Sequence, residues 1–170
     1  MSIIFKIFIF FHVSLYGIGS QFLILPFSSK ELSIGSHPTF FAHDPVNPSL
    51  YNAIEGRPSI SFNQGSWYGG VGLTQAGYNF EKNDMITHFG FKYSGITDLE
   101  FRNDLPSDSP LSYFSSFGLS FDAGKAIIRD EHRYGVSISY VHFGIFTYES
   151  KGFGLNFGYT RDLFNKIKVG

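Results

Sequence analysis

Large aromatic residues alternate with glycine, serine and other small polar residues along several stretches of this 170-residue chain. In residues 152–161, the bulky residues Phe153, Leu155, Phe157 and Tyr159 alternate with glycine, asparagine and threonine. A repeat of two residues places successive side chains on opposite faces of a β-strand, whereas an amphipathic helix repeats every 3.6 residues. The pattern therefore predicts strands with one aromatic face and one face of small polar side chains.

The same alternation covers most of the chain after residue 57. It is clearest in 84–94 and 112–122, is shorter in 58–63, and begins again at 165–170. In 69–80 and 134–148 it slips by one residue, between Leu73 and Ala76 and at Val141, which predicts a bulge or bend in each. Short connections are predicted at 63–66, 81–84 and 149–152, and longer loops at 95–111 and 123–133. The result is an antiparallel meander of six full strands and a fragment.

Composition narrows the class of protein. Aromatic residues make up 19% of the chain and charged residues only 16%, where soluble domains average about 25% charged. Such a chain is neither disordered nor a helical bundle. The net charge of −1 argues against a nucleic-acid partner, and the absence of cysteine excludes disulfides and thiolate metal sites.

The first twenty residues have the order of a secretory signal peptide. Lys6 is their only charge, an apolar stretch runs over 7–18, and Gly19 or Ser20 offers a cleavage site. The alternative is a retained membrane anchor, although the apolar run is shorter than the roughly 20 residues of a spanning helix. The sequence therefore predicts a signal peptide at 1–20.

The chemistry of the two faces distinguishes lipid from water as the surroundings of the sheet. A half-wet soluble sheet carries Lys, Glu and Arg on its polar face, whereas here that face is mostly Gly, Ser, Asn and Thr. Bacterial membrane barrels alternate in this way, with apolar residues outward and aromatic residues near both interfaces. Rings in suitable places are Trp67, Tyr134, Tyr148, Phe153 and Tyr159. We therefore predict an all-β antiparallel transmembrane β-barrel, present here as six to seven strands. The alternative is a secreted β-sandwich with the rings between two sheets.

The sequence contains no recognisable catalytic, nucleotide-binding or metal-binding motif. The glycines of 152–158 have the wrong spacing for a dinucleotide fingerprint and lie in a predicted strand. His43-Asp44 and Asp130-Glu131-His132 contain metal-binding residue types, but neighbours on an extended backbone point apart. We predict a non-enzymatic protein with no cofactor, no metal and no catalytic residues.

A family resemblance is carried by the segment that precedes the strands. Its elements are Pro after an apolar run, a small residue before a basic one, then Gly, Asp and an Asn-Pro pair. Here they fall on Pro26, Ser29, Lys30, Gly35, Asp44, Asn47 and Pro48, and Trp67 follows in the first hairpin. This pattern resembles the PorV/PorQ family, outer-membrane barrels of the type IX secretion system that are related to FadL-type transporters.

The resemblance implies a domain organisation and a function. Residues 1–20 are expected to be the signal peptide, 21–56 a plug-like segment, and 57–170 the strands of an incomplete barrel. An ordinary Pro-rich loop is the alternative for 21–56. The implied location is the outer membrane of a Gram-negative bacterium, in contact with lipid, other type IX secretion components and cargo C-terminal domains. Loops 95–111 and 123–133 are the candidate contact surfaces.

The chain is shorter than the members of the family that it resembles. Family members are about twice as long and are expected to close fourteen strands. An open sheet edge in lipid leaves unpaired backbone groups that cost several kcal/mol each. The chain is therefore expected either to be truncated or to pair with a second chain.

Two other functions remain open at this stage. A FadL-like pore for hydrophobic small molecules predicts an apolar pocket behind residues 21–50. A secreted β-sandwich with an adhesive or structural role predicts rings buried between two layers.

Overall fold

The computed structural model describes residues 25–33, 47–53, 57–104, 108–163 and 167–169. Seven strands form one sheet in which each strand pairs with its neighbours in sequence, and every pairing is antiparallel. The strands are β1 Ser59–Trp67, β2 Val71–Lys82, β3 Met85–Phe101, β4 Ser112–Arg129, β5 His132–Ile145, β6 Tyr148–Leu163 and β7 Ile167–Val169. Before them come α1 (Ser29–Ser33) and a 3-10 helix (Pro48–Leu50), and a 3-10 turn (Tyr68–Gly70) joins β1 to β2. The predicted all-β antiparallel meander is confirmed.

The two predicted faces of the sheet are also present. On one face, which we call the polar face, small and polar side chains are buried. They are Gln75, Asn79, His88, Ser94, Ser120, Ser137, Ser139 and Thr160. On the other, the aromatic face, large apolar side chains are exposed. They include Ile60, Phe62, Phe89, Tyr93, Phe121, Tyr134, Val136, Ile138, Phe153, Leu155, Phe157 and Tyr159. Leu73, Ile86 and Ala126 are buried among these polar side chains. The sheet thus buries a mainly polar face and exposes its aromatic face, whereas a soluble half-buried sheet exposes its polar face.

Strand ends differ from the prediction at four places. The predicted loop 95–111 is shorter, because β3 continues to Phe101 and the connection is 102–111. Residues 63–66 are not a turn but continue β1, and the chain turns instead at Gly69 and Gly70, whose positive φ values of 79° and 82° suit glycine. Residues 149–152 lie inside β6, and 123–133 are not a loop, because β4 continues to Arg129. At 81–84 the predicted connection is confirmed, with the turn itself at Asn83 and Asp84.

The predicted bulges in β2 and β5 are wrong. Residue pairing runs without interruption from Gly72 to Lys82 and through all of β5. The slips reflect apolar residues on the polar face, since Leu73 is buried there and Val141 has the same parity as Ser139. The one register shift in the described strand pairs lies between Ile96 and Leu99 of β3, where Asp98 has a φ of 58°.

The connections between strands differ in length at the two ends of the sheet. We call the end with the β2–β3, β4–β5 and β6–β7 connections the turn end. Its first two connections have two residues each, Asn83–Asp84 and Asp130–Glu131, and the third lies between Leu163 and Ile167. The opposite end, the loop end, carries the 3-10 turn, the ten-residue connection 102–111 and the β5–β6 turn. Among the connections between the described strands, the ten-residue one therefore lies at the loop end.

The β5–β6 turn is held by an aromatic cluster at the loop end. Phe146 has a φ of 56°, which a bulky residue rarely adopts. Its ring stacks on Phe101 at 5.3 Å between centroids and meets the edge of Phe114 at 5.6 Å. Its N–H donates to the Ser115 carbonyl at 3.3 Å. Contacts to β3 and β4 thus offset the unfavourable backbone conformation at this turn.

Candidate functional site

The aromatic face is most continuous across β5 and β6. Four apolar pairs lie directly opposite each other there, and they are Tyr134–Tyr159, Val136–Phe157, Ile138–Leu155 and Tyr140–Phe153. Phe153 and Phe157 are 79% and 80% exposed. The rings of Tyr140 and Phe153 contact each other at 5.3 Å between centroids, but Phe153 stays exposed. A surface of this kind requires an apolar environment or partner.

Ionisable pairs mark both limits of this apolar band. Arg161 lies opposite His132 next to one limit, and Lys151 lies opposite His142 next to the other. Ten residue steps separate Lys151 from Arg161. At about 3.3 Å per residue this is ~33 Å along the strand, or ~25 Å along the membrane normal at the ~40° tilt of barrel strands. The band therefore has the height of the apolar girdle of a membrane barrel, about 25 Å.

Part of the plug-like segment lies against the polar face. Asn47 caps the 3-10 helix, because its Oδ1 accepts hydrogen bonds from the backbone N–H of Ser49 at 3.0 Å and from the Ser49 hydroxyl at 2.7 Å. The Ser49 hydroxyl also reaches Thr160 of β6 at 3.2 Å. Pro48 and Ser49 are buried. Asn47 is therefore the N-cap of the 3-10 helix, and the Asn-Pro element is part of a packed contact.

Three glycines give this segment room to approach the sheet. We call Gly124 of β4, Gly135 of β5 and Gly158 of β6 the glycine lane. A Cβ atom on Gly135 would overlap the backbone of Pro48 and Ser49, and one on Gly158 would overlap Asn47 Oδ1. A Cβ atom on Gly124 would lie 2.6 Å from the Tyr51 ring. Glycine at these positions allows the segment to lie directly on the strand backbones.

Tyr51 extends the contact to the start of β3. Its ring, 2% exposed, stacks on His88 at 4.2 Å with an interplanar angle of 18°. His88 Nδ1 lies 2.7 Å from Asn79 Oδ1 on β2. The Arg133 guanidinium of β5 donates to the Tyr51 carbonyl at 2.5 Å. Residues 47–51 are therefore held by side chains from β3, β5 and β6.

The structure brings only part of the predicted motif together. Asn47 and Pro48 form the contact just described. Pro26 is buried, Ser29 begins α1 with an exposed side chain, and Lys30 lies in α1. Trp67 ends β1 and is half-buried, so it marks the loop end. Gly35, Asp44 and the predicted signal peptide 1–20 lie outside the described residues.

Sequence reasoning missed the glycine lane and Tyr51. The strand glycines are visible as a pattern, but nothing local shows which of them face the Asn-Pro element. Gly152 and Gly154 have the same parity as Gly158, yet a Cβ atom there would meet nothing closer than 3.8 Å. The position of the plug-like segment, not the strand sequence, makes Gly158 different.

Among the residues described, no three His, Cys, Asp or Glu side chains are grouped to hold a metal ion. None of the helices in the described part of the chain is long and apolar enough to span a membrane. No family model, curated protein or solved structure matches this chain.

Proposed function

We propose that this chain forms the wall of a non-enzymatic outer-membrane β-barrel of the PorV/PorQ type, which takes part in type IX secretion and in cargo attachment at the cell surface. The observation that carries the membrane location is the exposed apolar band of β5 and β6 between its two ionisable limits. Burial of apolar area stabilises by about 25 cal/mol per Å². Lipid chains would provide that burial without a second protein layer.

The polar face supports the same orientation. Backbone inside a barrel is tolerated where it lines water or is packed against protein. Here the polar face is packed against residues 47–51 through Ser49–Thr160 and Arg133–Tyr51. In this proposal the segment occupies the interior of the barrel and the aromatic face meets lipid.

The other two candidate functions have less support. A β-sandwich requires the rings between two layers, whereas the described strands form one sheet whose rings are exposed. A FadL-like pore requires an apolar pocket behind the plug. In the described residues, Ile86 and Ala126 form a small apolar cluster on this face that the buried Tyr51 ring already occupies, and Ser137, His88 and Thr160 are buried polar side chains of the same face. We therefore favour secretion over uptake of hydrophobic molecules.

Fractionation of cells tests the membrane location. The chain is expected in the outer-membrane fraction, resistant to alkaline carbonate and released by detergent. A periplasmic lipoprotein and a soluble periplasmic enzyme serve as controls for the two alternatives. Recovery of the chain in the soluble periplasm without detergent would reject both barrel functions.

Cargo retention tests the secretion role separately. The full chain, purified in detergent, is expected to co-purify with a cargo C-terminal domain and not with a radiolabelled fatty acid. The ten-residue connection 102–111 at the loop end is the surface we expect cargo to contact. Its replacement by a tight turn should remove cargo binding, while substitution of Asn83 and Asp84 at the turn end should not. Binding of fatty acid alone would favour the uptake function.

A further inference from the structure

We propose that the turn end of the aromatic face binds the phosphate groups of anionic phospholipids. This rests on the proposed membrane location and adds a lipid class and a sidedness to it. The occupant is a glycerophospholipid leaflet with negatively charged headgroups. The ligands are the side chains of Lys82, Lys125, Arg129 and Arg161.

Strand alternation sorts the charges at the turn end. Lys82, Lys125, Arg129 and Arg161 have the parity of the aromatic face and are exposed. Their acidic strand neighbours Glu81 and Asp162 have the opposite parity and are partly buried on the polar face. They face Arg133, whose charge they stabilise. The described strand residues of the aromatic face at this end therefore include cations but no carboxylate.

Register places these cations at the limit of the apolar band. Lys82 lies opposite Met85, which lies opposite Ile127. This row continues through Tyr134 to Tyr159. Arg129, His132 and Arg161 form the next row toward the turns.

Lys125 lies one row inside the limit, where a lysine can extend its chain so that the ammonium group reaches the headgroup level. The cations thus occupy the depth of lipid phosphates while their neighbours contact acyl chains.

At the loop end, the cations are paired with carboxylates. Its aromatic-face cation Lys151 lies 3.8 Å from Glu149, which also contacts His142 at 3.1 Å. Arg102 pairs with Glu100 at 2.7 Å. At the turn end one comparable pair is present, Arg161 with Glu131 at 3.4 Å, and Asp84 and Asp130 lie in the turns beyond the cations. Free positive charge on the aromatic face is therefore concentrated at the turn end.

Loop length assigns this end to a side of the membrane. Bacterial outer-membrane barrels have short periplasmic turns and longer extracellular loops. The two-residue turns Asn83–Asp84 and Asp130–Glu131 lie at the turn end, and the long connection 102–111 lies at the other. The cations therefore face the periplasmic leaflet, which is made of glycerophospholipids. Basic residues near an anionic surface attract such lipids, and salt weakens the attraction.

Spin-labelled lipids test this proposal. The full chain is reconstituted in phosphatidylcholine vesicles with a trace of spin-labelled phosphatidylglycerol or phosphatidylcholine, and the relative association constant is measured. We expect a preference for phosphatidylglycerol of several-fold that falls at high salt. Each single Lys→Gln or Arg→Gln substitution is expected to lower this preference by roughly 1.5-fold, so that four such steps remove a preference of about fivefold. The quadruple variant K82Q/K125Q/R129Q/R161Q should show a ratio near one.

Matched variants separate the headgroup proposal from the membrane proposal. The control R102Q/K151Q removes two cations of the loop end and should keep the preference. The amount of motionally restricted lipid should be equal in all variants, because it reports insertion alone. Restricted lipid without any phosphatidylglycerol preference in the unchanged chain would overturn the headgroup site and leave the membrane location standing. Absence of restricted lipid would overturn both.

Discussion

Substitution of Gly135 by alanine tests whether residues 47–51 are packed on the sheet as described. The added Cβ would overlap Pro48 and Ser49 backbone atoms, including the Pro48 carbonyl oxygen at 2.5 Å. Neither partner is a flexible side-chain end that could move aside. The expected result is lower stability, although alanine is ordinarily better than glycine in a strand.

The magnitude follows from two opposing effects. Replacing a strand glycine by alanine stabilises by about 0.5–1 kcal/mol, and overpacking a filled site costs about 1–3 kcal/mol. The two ranges combine to a net loss of about 0–2.5 kcal/mol, and overlap with backbone atoms favours the upper half of that range. Detachment of the segment sets an upper limit to the loss, since it would remove the Ser49–Thr160 and Arg133–Tyr51 hydrogen bonds, together about 2–4.5 kcal/mol.

Gly154→Ala is the matched control. Gly154 shares the polar face, and a Cβ atom there would come no closer than 3.8 Å to Ser139. This substitution should be neutral or should stabilise by up to about 1 kcal/mol. The two alanine variants are therefore expected to change stability in opposite directions.

Two measurements compare the stability of the Gly135→Ala and Gly154→Ala variants. Urea unfolding in detergent is recorded through Trp67, the single tryptophan. Maleimide labelling of Ser49→Cys, in a chain without other cysteines, reports local opening because Ser49 is 0% exposed. Labelling should be about tenfold faster with Gly135→Ala than with Gly154→Ala, since 1.4 kcal/mol is a factor of ten. Equal stability and equal labelling in the two variants would refute the packing.

Three further outcomes are expected. Tyr51→Ala should destabilise by about 3–5 kcal/mol in urea because it empties a buried aromatic site against His88; a loss below 1 kcal/mol would contradict that burial. Asn47→Ala should cost about 0.5–2 kcal/mol through the lost cap, and Asn47→Asp should retain most of the stability. Leu155→Arg, in the middle of the apolar band, should weaken folding into vesicles by about 2–4 kcal/mol, whereas an unchanged or improved yield would show that Leu155 faces water.

The sequence was most informative where residue size contrasts strongly between faces. In β6 each bulky residue alternates with a small one, so both faces and the strand itself were predicted. Turn positions were harder. The glycine at 65 lies within β1, and the β5–β6 turn uses Phe146 and Thr147, neither of which is a turn-forming type.

The sequence pointed to the Asn-Pro element of the candidate site but not to the residues that it contacts. The Asn-Pro pair that contains the cap was singled out from the sequence, and the cap itself joins residues two positions apart. The hydrogen bond from Ser49 to Thr160 joins residues 111 positions apart, and the glycine lane depends on how closely two distant segments approach. Such contacts are set by tertiary packing, which leaves no periodic signal in either segment.

The clamp on Phe146 has a mechanical consequence for the rim of the sheet. Its ring ties the β5–β6 turn to Phe101 and Phe114 at the base of the long β3–β4 hairpin. A force applied to that hairpin is therefore transmitted to β5 and β6 as well as to β3 and β4. Truncation of the Phe146 ring should remove this link and leave β3 and β4 to carry such a force alone.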